Sequence, residues 1–286
     1  MRDFGDRTNA RKHGRMKYVV EDFGMDFVKG KMEEYMGFEF EPARRYKFTT
    51  RTDNFGWSQT EDGMNHCLIQ VPMGRIKGDT RVALRKVAEL LKGVGRYRNN
   101  AIHNFVIMDV PNAKKDAVES ILAQHKVPRS NSALSGLRRN MMACTALPYC
   151  PLSFAESERY LPTLVERLEG VVERVGLLQE NISIRMSGCP NSCGRPPASE
   201  IGLIGKAPGS YNLYLGGDAL GYRLNTLYKE GLDEDEIVGT LTPMLTHYSA
   251  QRLTGESFGD FIIRMQYVQS MKNGGHLWWT VGVAKS

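Results

Sequence analysis

Ile182-Ser-Ile-Arg-Met-Ser187, running directly into Gly188-Cys-Pro-Asn-Ser-Cys193, is the stretch on which the reading of this chain turns. Ile182, Ile184 and Met186 alternate with Ser183, Arg185 and Ser187. That period of two predicts a half-buried strand. The strand delivers the chain to Cys189, and Cys193 completes a C-x3-C pair. Upstream, Cys144-Thr-Ala-Leu-Pro-Tyr-Cys150 supplies a C-x5-C pair, so four of the five cysteines lie between positions 144 and 193.

Such crowding points to chemistry. An odd cysteine total, in a chain whose first residues Met1-Arg-Asp-Phe-Gly-Asp-Arg7 lack the apolar run of an export signal, argues against a disulfide framework. A cytoplasmic, reducing setting is the expectation, and it leaves metal binding as the leading reason for the cluster. Four thiolates suit soft centres: zinc, copper(I) or iron–sulfur. Structural zinc sites use pairs separated by two to four residues, and a five-residue gap holding Pro148 is loose for them. A cubane is wider and tolerates longer loops. Gly188 and Gly194 would let backbone approach a bulky inorganic core. On spacing alone, an iron–sulfur cluster, zinc and incidental buried cysteines all remain open.

Outward from the cysteines, the expected organisation is α+β. Residues up to about 36 read as polar helix, with Arg7, Arg11 and Arg15 four apart, and Phe38–Lys47 as an extended connector around Pro42. Cys67–Val71 and Phe105–Val110 read as strands. A helix capped by Thr80 carries Leu84, Val87, Leu90 and Leu91, with Gly93 as its stop, and another carries Val118, Ile121 and Leu122. These elements suggest a ferredoxin-like half-unit. Arg129–Gly136, rich in Ser and Asn, reads as a linker. Beyond it, Ser153 and Glu156 form an expected capping box for a helix whose apolar face runs from Leu161 to Val175, with Pro162 in or near its first turn. Strands follow at Ile201–Ile204 and Tyr211–Leu215, then a helix opened by Asp233–Glu236. The expected domains are 1–50 (helical segment and connector), 51–130 (ferredoxin-like half-domain) and 131–286 (a mixed α/β cysteine-bearing domain).

Composition narrows the function classes only mildly. The net charge of +6 favours an anionic partner without choosing among them. No run reaches the ~18 apolar residues of a membrane span, so no membrane partner is expected; nucleic acid would fit the charge but is not expected as a partner either.

Four segments in order carry a sharper signal: Met142-Ala-Cys-Thr-Ala-Leu-Pro-Tyr-Cys-Pro-Leu152, Glu156-Ser-Glu-Arg-Tyr-Leu-Pro162, Arg185-Met-Ser-Gly-Cys-Pro-Asn-Ser-Cys-Gly-Arg-Pro196 and Gly205-Lys-Ala-Pro-Gly-Ser-Tyr-Asn-Leu-Tyr-Leu-Gly-Gly217. Together they resemble the siroheme-dependent sulfite and nitrite reductases, and the Gly-Lys-Ala-Pro-Gly run resembles most the hemoprotein subunit of the NADPH-dependent sulfite reductases. The resemblance extends to about Met265 and includes Arg7-Thr-Asn-Ala-Arg-Lys-His-Gly-Arg-Met-Lys-Tyr18.

It implies a mixed α/β iron–sulfur and siroheme domain, the second of the family's two repeats. It also implies a [4Fe–4S] cluster on Cys144, Cys150, Cys189 and Cys193, with Cys193 shared as the axial thiolate of siroheme and Asn191 beside the cofactor. The implied reaction is six-electron reduction of sulfite to sulfide, with electrons from a flavoprotein subunit. Substrate-facing cations would lie in an N-terminal half outside this sequence, so the chain is expected to be a fragment or one part of a split enzyme. Rival readings are a ferredoxin-dependent nitrite or sulfite reductase, a cluster-only electron carrier, and a zinc-stabilised binding module. Arg98-Asn-Asn-Ala-Ile-His-Asn104 departs from the family's Arg-x-Thr-x-x-Gln-Asn at Asn100 and His103. Cys67 and His103 read as core or loop residues, Arg185 as outward strand or cofactor contact, and Lys206 and Arg223 as exposed or rim cations.

Overall fold

A computed structural model of the chain describes residues 3–5, 16–46 and 48–270. Arg7, Arg11, Arg15 and the tryptophans at 278 and 279 lie outside the described residues. By its contacts the chain divides into Met1–Phe48 and Thr49–Ser286. The first unit holds helices α1 (Met16–Phe23) and α2 (Met25–Met36), with Phe23 stacked on Phe27 at 4.9 Å between ring centroids.

The second unit contains two sheets. The first is antiparallel, in the order β1 (Gly56–Gln59), β2 (Asn65–Ile69), β4 (Phe105–Val110), β3 (Arg96–Asn99). Helices α3 (Gly78–Leu90) and α4 (Asn112–Gln124) cover it, and Cys67, Ile69, Val87, Ile107, Val118 and Leu122 fill the space between. Its central strands are the two legible in the sequence. The edge strands were not: every residue of Arg96-Tyr-Arg-Asn99 is exposed, so no apolar alternation announces it. Thr80 does not cap α3. The helix opens two residues earlier, after Lys77, with no side-chain cap, and Asp79 favours its first turn through the helix dipole.

The second sheet runs β5 (Met141–Ala143), β6 (Ile184–Ser187), β7 (Ile201–Ala207), β8 (Ser210–Leu215), β9 (Thr226–Leu232). The pairs β5–β6 and β6–β7 are parallel, and the remaining two antiparallel. Because β6 has a neighbour on each side and cover on both faces, all four of its residues are buried, not half-buried as alternation suggested. Met141, Ala143, Ile184, Met186, Ile201 and Leu203 face helices α6 (Leu161–Arg174) and α7 (Glu234–Gln251). The short α5 (Gly136–Arg139) begins at the last residue of the supposed linker, and α8 (Phe258–Arg264) closes the core.

The expected stripe Leu161, Leu164, Val165, Leu168, Val171 and Val172 is buried along α6, and Pro162 sits in its first turn. Ser153 and Glu156 do not cap that helix. Residues 151–160 first return over the end of β6, where Ser153 Oγ donates to Ala155 O at 2.9 Å. Asp233 and Glu236 do form a capping box on α7.

At the start of β7, Glu200 is buried and accepts hydrogen bonds from Ser183 N (2.8 Å), Ser183 Oγ (3.0 Å) and Gly259 N (3.0 Å). Burial, with a smaller contribution from Asp260, outweighs these donors and raises its carboxyl to about 7. Arg51 lies in electrostatic reach of it. Below about pH 4.5 folded and unfolded chains both hold this proton; above it the unfolded carboxyl ionises while the folded one does not. Stability from this group is therefore lost as pH rises toward 7, by about 3 kcal/mol. Glu200→Gln is expected to flatten that slope in denaturant titrations run between about pH 5 and about pH 8. An unchanged slope would refute the assignment.

Candidate metal centre

Parallel pairing of β5 and β6 places the carboxyl ends of both strands at one edge of the sheet, where α/β folds build their sites. Cys144 follows β5 directly and Cys189 lies two residues beyond β6. The ladder continues past the strands: Cys144 N donates to Met186 O at 3.2 Å. Each loop then doubles back. Cys150 N donates to Ala146 O at 2.8 Å, while Phe154 N and Ala155 N both donate to Gly188 O, at 2.8 and 3.1 Å. Gly194 N donates to Ser187 Oγ at 2.8 Å and pins the C-x3-C loop to the strand end. Ala146, Ser192 and Arg195, all within or beside these loops, have positive φ near 55°, as left-handed turns of non-glycine residues.

Among the sulfurs, Cys189 is buried, Cys144 and Cys150 are intermediate and Cys193 is exposed. Burial first, and then the charges of Cys144, Cys193 and Cys150, push the Cys189 thiol up, while the Asn191 N–H pulls it down. Cys144, Cys150 and Cys193 are thus each in electrostatic reach of Cys189. Gly188 N donates to Cys144 Sγ at 3.4 Å. No trio of His, Cys, Asp or Glu among the described residues closes on a single ion. The donor set, four thiolates and no carboxylate, fits an iron–sulfur core.

At both glycines the space a side chain would need is taken by protein. A Cβ at Gly188 would fall 2.0 Å from Ser153 Oγ, and one at Gly194 2.1 Å from Met186 O. Both positions are closed by protein, so glycine is required for the loops to pack on one another. Asn191 is exposed and reaches Cys189 through its main-chain amide.

The other candidates sort clearly. Cys67 sits in the core of the first sheet, where burial pushes its thiol to about 12. Lys206 pairs with Glu230 at 2.8 Å, and Arg223 with Asp260 at 2.6 Å. Asn100 accepts from Ile102 N and Asn104 N and donates to Asp53, so it organises its own turn. His103 is held below its usual range by burial and by Arg195. Arg185 is buried on β6 rather than turned outward, because β6 is covered on both faces.

No family model matches the chain. Over 273 residues it is 44% identical to a sulfite reductase [NADPH] hemoprotein beta-component of Myxococcus xanthus, covering 94% of this chain and 48% of that protein. The homologue from Afipia carboxidovorans is 44% identical over 277 residues, covering 96% of this chain and 47% of the relative. This chain is a homologue of the sulfite reductase hemoprotein components. It spans about half the length of the curated relatives it matches. The NirA protein of Mycobacterium tuberculosis superposes with a TM-score of 0.78 at 27% identity, over 93% of this chain and 50% of that one. Dissimilatory sulfite reductase I shares the fold, at TM-score 0.52, 9% identity and 83% and 77% coverage. The mixed α+β architecture with two sheets matches the folds of NirA and dissimilatory sulfite reductase I. No helix among the described residues is long and apolar enough to cross a membrane.

Proposed function

We propose that this chain is the cluster-holding part of an assimilatory sulfite reductase hemoprotein, acting in the cytoplasm and completed by the family's other half. Cys144, Cys150, Cys189 and Cys193 would hold a [4Fe–4S] cluster, and Cys193 would also hold the siroheme iron. The observation that carries this reading is the arrangement of the four sulfurs: three stand within electrostatic reach of buried Cys189, and only Cys193 is exposed. An exposed thiolate is the one able to serve a second centre on the outer side.

When bound, the coupled cofactors would supply electrons, six in all, for reduction of sulfite to sulfide. The work of this chain is to hold and tune sulfur. The amides of Gly188 and Asn191 donate toward Cys144 and Cys189 and steady negative charge on them. The returning loops exclude water from Cys189, which strengthens those dipoles. Cations that meet the sulfite dianion would come from the other half. The relatives' names carry NADPH, which favours a flavoprotein electron donor over ferredoxin.

Anaerobic reconstitution with ferrous iron and sulfide tests this. Equal iron and acid-labile sulfide with broad visible absorption are expected. Bound zinc without labile sulfide would overturn it. Siroheme bands are expected only once the remaining half is supplied; a cluster that never takes up siroheme would reduce the chain to an electron carrier.

A further inference from the structure

The face of the second sheet that turns away from α6 and α7 carries Met142, Arg185 and Gly202 side by side, as the registers Met142↔Arg185 and Arg185↔Gly202 require. Residues 194–198 cross back over this face: a Cβ on Gly202 would lie 2.6 Å from Pro196 O. At the crossing Arg195, with φ of 54°, turns its guanidinium to Ala101 O and to Met142 Sδ at 3.2 Å. Arg51 arrives from another direction and donates to Ala198 O at 2.8 Å. Three guanidinium groups thus come within electrostatic reach of one another.

Arg185 is the anomaly among them. It is only 6% exposed, and its Nε is buried with no hydrogen-bond partner. Burial first, then Arg51 and Arg195, lower its guanidinium to about 9, still charged at neutral pH. Other arginines of the chain show how such a charge is normally met. Arg138 pairs with Glu169 at 2.5 Å, and Arg129 pairs with Glu119. Arg139, equally buried, gives its Nη1 and Nη2 to Asn131 O, Leu134 O, Gln179 Oε1, Gln179 O and Asn181 Oδ1. Arg51 and Arg195 instead donate to carbonyls and a thioether, and the carboxylates in reach, Glu200 and Asp218, act on Arg51 and not on Arg185.

A buried guanidinium Nε left without an acceptor is a costly arrangement for a fold to carry. We propose that Arg51, Arg185 and Arg195 form a binding site for a small polyanion bearing carboxylate or tetrahedral oxyanion groups. The planar fork of Arg185 suits two-point contact with either group, and the flanking cations add long-range attraction. The site is separate from the four thiolates and needs no bound cofactor.

Thermal unfolding of the full chain in chloride, sulfate or citrate, at matched ionic strength, tests the inference. Near a hundredfold excess over its dissociation constant, citrate or sulfate is expected to raise the Tm by about 5 °C. Arg185→Met is expected to abolish that rise and, in chloride, to be at least as stable as wild type, because an unpaired buried charge has gone. Arg195→Met should shrink the rise, and Lys206→Met, at an exposed ion pair, should keep it. A response to sulfate alone marks a single oxyanion and one to citrate alone a polycarboxylate. The inference is overturned if neither anion acts, if Arg185→Met retains the rise, or if that variant loses stability in chloride. Iron and labile sulfide measured in the same preparations keep this outcome distinct from failure of the cluster assignment.

Discussion

Cys189→Ser is expected to abolish iron and labile-sulfide binding, with both falling to background after anaerobic reconstitution. Cys189 is the one buried sulfur of the quartet, and burial plus three neighbouring sulfurs hold its thiol above the ordinary range. As a ligand it must be a thiolate, and in this setting only the positive charge of bound iron brings that about. A serine hydroxyl, far less acidic than a thiol, would not ionise there and would offer a hard oxygen to a centre that selects soft donors. Cys67→Ala is the matched control, since Cys67 lies in the core of the other sheet. It should cost some stability through lost packing and leave iron untouched. Iron and sulfide content, read beside the visible spectrum, decide the matter. Full iron in Cys189→Ser, or equal loss in Cys67→Ala, would remove the cluster from these residues.

The quartet was legible because its signal is local. Each cysteine pair sits in one loop, and the strand that presents the second pair is written in six residues of alternating character. What the sequence could not give is the partner of each loop. Nothing in Gly188 or Gly194 distinguishes a glycine that admits an inorganic core from one that admits Ser153 or Met186; the difference lies in residues far away along the chain. The same holds for Arg185. Alternation put it opposite Ile184 and Met186, which is correct, but the cover over that face comes from residues 194–198, a crossing no period announces.

Edge strands failed for a related reason. Thr226–Leu232 and Arg96–Asn99 bury little and are held by backbone pairing with one neighbour, which leaves no trace in side-chain pattern. Ser153 and Glu156 have the spacing of a capping box, yet tertiary contacts with Gly188 bind that segment before the helix can start.

Gly188→Ala is expected to destabilise the chain by about 2–4 kcal/mol and to lose most of the bound iron, because one position serves packing and ligation together. The added methyl would meet Ser153 Oγ at 2.0 Å, Ala155 O at 2.5 Å and Ala146 Cβ at 2.6 Å. Only the first of these is a rotatable side-chain atom; the other two, a backbone carbonyl and an alanine Cβ, are fixed by the main chain. Ser153→Gly in the same background should therefore restore a minor part of the loss, since the carbonyl of Ala155 cannot move without breaking its loop's bonds to Gly188 O. Displacing residue 188 also moves the N–H that donates to Cys144 Sγ and the chain leading into Cys189. Ligand geometry is lost with the fold, and iron content should fall in step with the denaturation midpoint. Gly239→Ala supplies the contrast: it lies inside α7 with nothing within 4 Å of the new methyl, and is expected to gain about 0.5–1 kcal/mol from helix propensity. A Gly188→Ala protein with wild-type midpoint and iron would show that the two loops do not depend on this contact. Lowered stability with full iron would show that the clamp and the thiolates are independent.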